Sequence, residues 1–429
     1  MWENEEHKNL VRNLIILGVL VVVSLGLLIG MFAVRSQNKA KDELLKAESD
    51  SQRQEVSNIR RDNLEAIQQA YEADMDTVAQ YLPGIVCWGD SLTTGSSGNT
   101  SYPGTLQKYI NTYMCDIYDF YSTVDNAADY TRLDWTQYTV SIPVVNMGSG
   151  MENSETTLGR SGVVPFVISK AFEIPADTEP VQIQFTSEDG KQVKPLTAGS
   201  AGLNPVTING VEGTITLETN VQSWGQSYYF TRSEAGSTVE VEKGAQIISG
   251  STDAYKDYLH IVWLGTYDNL LDPAKLVSDT KALLSRQAQN PDRYLVLGPC
   301  TIRGSWTSAD VTVMDAIDSA MLQAFGNHYI NVRKYLLADG MTDAKFTATR
   351  EDKMAIQQSM VPISFRSNST TGADLNGTAY RLLGKLVYDR MDTLGYFDEV
   401  RRELGLDKTT QEILKNDSKY FENILNATK

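Results

Sequence analysis

Ser91 stands where a side chain can do chemistry. It lies in Cys87-Trp-Gly-Asp-Ser-Leu-Thr93, after the apolar run IVCW at 85–88, so a strand ends in a glycine-containing turn just ahead of a helix. That arrangement projects a side chain from the carboxyl edge of a parallel sheet, the edge at which open α/β folds bind ligands. A serine hydroxyl becomes a nucleophile there only when a neighbouring base takes its proton; left alone, its pKa lies far above neutral. The chain has three histidines. His7 precedes a long apolar stretch, His260 sits inside the apolar run Leu259-His-Ile-Val262 and reads as a core or edge residue, and His328 in Gly326-Asn-His-Tyr329 reads as a helix-terminal one. Other chemistries find less support. Cys87, Cys115 and Cys300 have no CxxC spacing and are too few for a disulfide framework, and there is neither a GxxxxGK[ST] loop nor a GxGxxG turn, so no metal and no cofactor is expected.

The elements that must position Ser91 read as α/β. Beyond 85–88, the runs 140–146, 259–264 and 293–297 are apolar and β-branched, and helical patterns occupy 273–287, 309–325 and 378–394. Strands alternating with helices predict a parallel sheet covered on both faces. Residues 163–251 break the pattern with short alternating stretches, Val181-Gln-Ile-Gln-Phe185, Gly213-Thr-Ile-Thr-Leu217 and Thr238-Val-Glu-Val241, separated by turn signals such as Asn209-Gly210. They predict a small all-β insert. From residue 398 to 429 the chain is charged and helix-prone, an accessory helical tail.

Residues 14–34 are 21 consecutive positions without a charge. At about 1.5 Å per residue they span a hydrocarbon core of roughly 30 Å, longer than a signal-peptide core of about 7–15 residues. Ala33 could serve a cleavage site, but the length favours an uncleaved, single-pass cell-membrane anchor. Lys8 and Arg12 precede the span while Arg35, Lys39, Lys41 and Lys46 follow it, which by the positive-inside rule points to an outside N-terminus. Long domains translocate largely regardless of charge, so the expected body is nonetheless extracytoplasmic. Residues 36–82 carry Leu64, Ile67, Tyr71, Met75, Val78 and Tyr81 at helical steps. One helix packed on its own domain and a parallel coiled coil joining two copies both fit, with Asp74 interrupting the heptad. Lys plus Arg number 38 against 54 Asp plus Glu, a net charge of −16, which argues against a nucleic-acid partner.

Further stretches accompany the Ser91 motif in chain order: Ser101-Tyr-Pro103, Val144-Val-Asn-Met-Gly-Ser-Gly150 with Glu152-Asn-Ser154, Trp263-Leu-Gly-Thr-Tyr-Asp-Asn269, and Leu375-Asn-Gly-Thr-Ala-Tyr380. Together they resemble the SGNH (GDSL) hydrolases, esterases and deacylases, over about residues 84–397. The resemblance implies a flavodoxin-like three-layer sheet with the β module as an addition. It also implies a serine nucleophile whose own N–H, a glycine N–H from the second motif and an Asn side chain from the third stabilise the oxyanion, with a terminal Asp-x-x-His as base. Gly89, Asp90 and Ser91 match the first motif. In the second, Met151 follows Gly150 where the oxyanion-hole glycine is expected, although its backbone N–H can still donate. In the third, Tyr267 replaces the Asn before Asp268. Anchoring the last motif on Ser364-Phe-Arg-Ser367 puts Asn368 at the Asp and Thr371 at the His; anchoring it on Leu375-Asn376 and Tyr380 puts Thr371 at the Asp and Asp374 at the His. Neither supplies an imidazole, and an exposed carboxylate is about 2–3 pKa units too acidic to replace one efficiently.

The expected layout is an anchor at 1–35, a helical stalk at 36–82, an α/β domain at 83–162 and 252–397, the β-rich module at 163–251 and the tail at 398–429. Two functions follow from it. One is a degenerate, catalytically silent member that binds or scaffolds a glycan or protein of the cell envelope. The other is a slow serine esterase removing acyl groups, such as acetyl, from an envelope glycan through Ser91.

Overall fold

The computed structural model describes residues 2–95, 100–113, 141–193, 202–220, 225–268, 272–286, 291–300, 307–367 and 374–404. Met1–Ala70 and Tyr71–Lys429 form separate compact units. The first unit is helix throughout its described residues, the beginning of α1 (Trp2–Tyr81). One stretch of it is long and apolar enough to cross a membrane, and its side chains from 14 to 34 are all exposed. No Pro or Gly falls between residues 36 and 81, so nothing stops the helix before Pro83. The last turns of α1 belong to the second unit, where Val78 and then Leu82 are buried.

In chain order the second unit continues with β1 (Ile85–Gly89), α2 (Ser91–Thr94), α3 (Tyr102–Tyr113), β2 (Val144–Gly148) and α4 (Ser154–Arg160). Nine strands come next: β3 (Phe166–Ile168), β4 (Phe172–Ile174), β5 (Val181–Ile183), β6 (Phe185–Thr186), β7 (Val206–Ile208), β8 (Val211–Asn220), β9 (Gly225–Arg232), β10 (Val239–Val241) and β11 (Gln246–Ser249). Then β12 (Leu259–Trp263), α5 (Pro273–Leu284), β13 (Tyr294–Leu297), α6 (Ser308–Phe325), β14 (Tyr329–Ile330) and, later, α7 (Gly377–Thr393) complete the alternation.

Strands β1, β2, β12, β13 and β14 form one parallel sheet in the order β14-β13-β12-β1-β2. Taken in chain order among themselves this is 2-1-3-4-5, the doubly wound arrangement whose switch point falls between the first strand and the third. That crevice is the one beside Ser91. Every residue of β1 and β12 is buried, as central strands covered on both faces must be. Val86, Trp88 and Val262 join Leu276, Leu283, Met314, Ile317 and Met321 of α5 and α6 in one core. On the alternate residues, Trp263 meets Tyr102 of α3 edge-on at 5.6 Å. Two details differ from the sequence expectation. The second strand begins only after Pro143, which has no N–H to lend to a ladder, and runs on to Gly148. A fifth, two-residue strand, β14, directly follows His328.

The intervening strands form a seven-stranded antiparallel sheet, β5-β9-β8-β7-β11-β3-β6, and a separate β4–β10 pair. Only Gln184 separates β5, which pairs with β9, from β6, which pairs with β3. The two ends of the ladder are therefore one continuous run of chain, so the sheet curls back on itself, with β5 covering Tyr228–Phe230 of β9. Phe166, Ile183, Phe185, Ile215, Phe230 and Ile247 fill its interior.

The end of β2 lies hard against α2. A Cβ on Gly148 would sit 2.3 Å from the Thr94 nitrogen and 2.7 Å from the Thr93 carbonyl carbon, main-chain atoms that cannot swing aside. Gly148→Ala should cost about 1–3 kcal/mol and lower the thermal midpoint; an unchanged midpoint would contradict this close approach.

Candidate active site

Asp90 is the N-cap of α2, and its Oδ1 accepts the Leu92 N–H at 2.8 Å. Capping by a short acidic side chain starts the helix at Ser91. The Ser91 N–H then falls in the first turn, where helix N–H groups have no intrahelical acceptor. Gly89 allows the approach of β12: a Cβ there would lie 2.4 Å from the Trp263 carbonyl oxygen.

The second motif comes back to the same serine. The Ser149 N–H bonds the Gly89 carbonyl at 3.0 Å, and the Met151 N–H donates to Ser91 Oγ at 2.9 Å. Gly150 is buried beside it. Met151 adopts φ 62°, the left-handed region that costs an L residue about 1–2 kcal/mol and glycine almost nothing. Its side chain is 48% exposed, so the bulk that replaces the expected glycine points outward while the N–H points in.

Side chains on the C-terminal side of Met151 fix the loop. Glu152 Oε2 accepts from Arg160 Nε at 2.8 Å, and both side chains are buried. Arg160 Nη2 also donates to the Met147 carbonyl at 2.8 Å. Asn153 caps α4 by accepting the Thr156 N–H at 2.9 Å. The third motif is tied in by Asp268, whose Oδ1 accepts the Ser154 N–H at 2.9 Å, with the Ser154 hydroxyl 3.1 Å away. Asp268 thus orients the second motif instead of pointing at Ser91. Tyr267 lies in the turn after β12, half-buried.

In the last motif Asn368 and Thr371 lie outside the described residues, as does residue 269. Asp374 is exposed; its carbonyl accepts the Ser367 N–H at 2.9 Å. Tyr380, one turn into α7, is buried, and its hydroxyl is held well above the usual phenol range by burial first and then by its ionisable neighbours Cys300, Asp374, Asp90 and Tyr267. Arg160 is the residue that sequence reasoning left out, and Tyr380 served there only to anchor the last motif. Asn376, accepting the Ala379 N–H as the cap of α7, marks Tyr380 as facing inward one turn later. For Arg160, the only signal was a lone basic residue ending a short helix that follows Glu152.

The site is acidic. Burial pushes the Asp90 carboxyl up to about 7, aided by Asp268 and Glu152 and opposed by Leu92 and Thr266. Burial likewise raises Asp268, against the hydrogen bonds from Ser154, and raises Glu152 against the pull of Arg160.

Both histidines of this unit lie at the opposite edge of the sheet. His260 is the second residue of β12, paired with Val86, so it sits three residues, or about 10 Å, before the carboxyl end of the strands. Its Nε2 faces the Tyr255 carbonyl at 3.0 Å, and burial lowers its pKa to about 4. His328 stacks on Tyr294, the first residue of β13, with ring centroids 4.5 Å apart, and its Nδ1 meets the Tyr396 hydroxyl at 2.7 Å. A cavity of about 800 Å³ lined by Asp315, Asp318, Tyr329, Arg333 and Arg390 lies around the edge strand β14, away from Ser91. Arg333 is already paired there with Asp315 and Asp318.

No family profile matches the chain, and no curated protein matches it. A solved structure described as "Peptidoglycan O-acetylesterase in action, 5 min" is similar over 78% of this chain and 96% of its own, at 12% identity and a TM-score of 0.28. At those values the likeness carries neither activity nor site residues across.

The raised Asp90 pKa has a consequence for stability. A carboxyl near 7 when folded and about 3.9 when unfolded binds more protons in the folded state, so its contribution is full below about pH 4 and is lost as pH rises through 7. His260, buried neutral, acts oppositely and loses stability as pH falls from about 6.5 to 4. Asp90→Asn keeps a capping oxygen and removes only the first effect. The difference in thermal midpoint, variant minus wild type, should therefore climb between pH 4 and 7; a flat difference would contradict the assignment.

Proposed function

We propose that this chain is a membrane-anchored, SGNH-hydrolase-like protein of the cell envelope that binds through the Ser91 cleft without efficient turnover. The observation that carries the reading is the placement of His260 and His328 at the amino edge of the sheet, while Ser91 stands at the carboxyl edge. Asp90 is buried and already engaged as a cap, so it is poorly placed to receive the serine proton. The motif order supports the family reading, and the apolar stretch 14–34 supports anchoring, with the body expected outside the cytoplasm.

The esterase reading keeps one specific observation, the Met151 N–H aimed at Ser91 Oγ at 2.9 Å. A backbone N–H beside the nucleophile position is the type of donor an acyl-transfer oxyanion uses, provided that oxygen comes within about 2.7–3.1 Å of it. Its substrate class would be acyl esters of an envelope glycan.

A fluorophosphonate probe separates the two. The purified full-length protein should show no stoichiometric labelling and should match Ser91→Ala. Labelling at Ser91 that disappears in Ser91→Ala would replace the binding reading with the hydrolase. Topology is checked separately by adding protease to intact cells. The body beyond residue 36 should be digested, and its survival would place it in the cytoplasm.

A further inference from the structure

The β-rich module ends against the site. Ser249, at the end of β11, and Ser251 are both buried, and their hydroxyls are 2.8 Å apart. Ser249 Oγ lies 2.8 Å from the Arg160 carbonyl and 2.7 Å from that of Gly202. Ser251 Oγ lies 3.1 Å from the Arg160 carbonyl and also contacts that of Gly202. Ser249 Oγ also lies 3.1 Å from the Leu203 carbonyl, so the two hydroxyls face three carbonyls, one of them belonging to the residue whose guanidinium holds the second motif. Gly202 has φ 78°, and a Cβ there would meet Met147 Cε at 3.0 Å, Arg160 Nη1 at 3.4 Å and Trp88 at 3.4 Å. The module is therefore packed directly on the Arg160 side chain as well as bonded to its main chain.

Arg160 in turn fixes both ends of the turn that carries the donor. It holds the Met147 carbonyl on one side and the Glu152 carboxylate on the other. With residues 147 and 152 anchored to one planar guanidinium, the residues between them must turn tightly, and Met151 takes the left-handed conformation that aims its N–H at Ser91. A planar fork with fixed donor directions can hold two acceptors in a set relation; a lysine ammonium cannot.

We propose that Arg160 is the positioning residue of the Met151 N–H, and that the β-rich module, through Ser249 and Ser251, is a working part of the Ser91 site. The proposal rests on reading the Ser91 cleft as the functional site. It does not depend on whether that cleft turns over substrate, so the labelling experiment and the one below can fail independently.

Amide hydrogen exchange of the full chain in detergent micelles tests it, since exchange reports local opening segment by segment. In the wild-type protein, segment 147–153 should exchange about 100-fold or more below free-peptide rates although most of it is loop. Fast exchange there overturns the proposal without any variant. Arg160→Lys, which keeps the charge, and the Ser249→Ala/Ser251→Ala double variant, which leaves the Glu152 ion pair intact, should each speed exchange of this segment by at least about tenfold while β1 and β12 stay protected. Thr214→Ala, an exposed site elsewhere in the module, should leave it unchanged. Unaltered exchange at 147–153 in a folded Arg160→Lys protein would remove the positioning role. The same result in the double-serine variant would reduce the module to an attachment. A rise spread evenly over the sheet would assign these residues to general stability and equally refute the proposal.

Discussion

A single ion pair organises the candidate site. Glu152 and Arg160 are sealed from water, and taking two such charges into the interior costs several kcal/mol per ion before any attraction is counted. The surroundings offset that cost by giving the guanidinium more than one partner. Besides Glu152 it holds the Met147 carbonyl and lies 5.4 Å from the Trp88 ring. Removing either charge would strand the other, typically a loss of about 3–5 kcal/mol. The pair lies where β2, the second-motif loop and α4 converge, and it has the last strand of the module at its back. The turn from Met147 to Glu152 beside Ser91 is tied down by it at both ends.

The polarity of a parallel sheet explains why neither His260 nor His328 reaches the serine. All five strands point the same way, so residues early in a strand and residues just after it are kept apart by the strand itself. His260 and His328 are tied to the early end, one by the Tyr255 carbonyl and the other by Tyr294 and Tyr396. No side-chain rotation brings either to the other edge. Three carboxylates at the serine end have structural duties of their own: Asp90 caps α2, Asp268 holds Ser154, and Glu152 holds Arg160.

Much of this was legible in the residues. Apolar runs at 85–88, 259–264 and 293–297 announced strands because central parallel strands are buried on both faces and cannot alternate. Ser91 could be placed because a glycine turn and an acidic cap fix the local backbone. What stayed hidden depended on contacts between distant residues. Arg160 looked like an ordinary charge ending a short helix, and only folding shows it buried among Glu152, Met147 and Trp88. The curling back of the module's sheet was equally invisible: Gln184 gives no sign that the strand it interrupts changes partners. Strand β14 was too short for any periodicity to register.

Met151 brings these lines together. A residue with a Cβ is held in a backbone conformation that glycine would adopt freely, and the strain is balanced by an ion pair that is itself expensive to bury. Were the loop merely a connection, relaxing it would remove both costs. The chain instead holds the N–H 2.9 Å from the serine oxygen while Met151 itself stays exposed. Binding a carbonyl or hydroxyl group of a ligand would need that donor alone, whereas acyl transfer would also need a base.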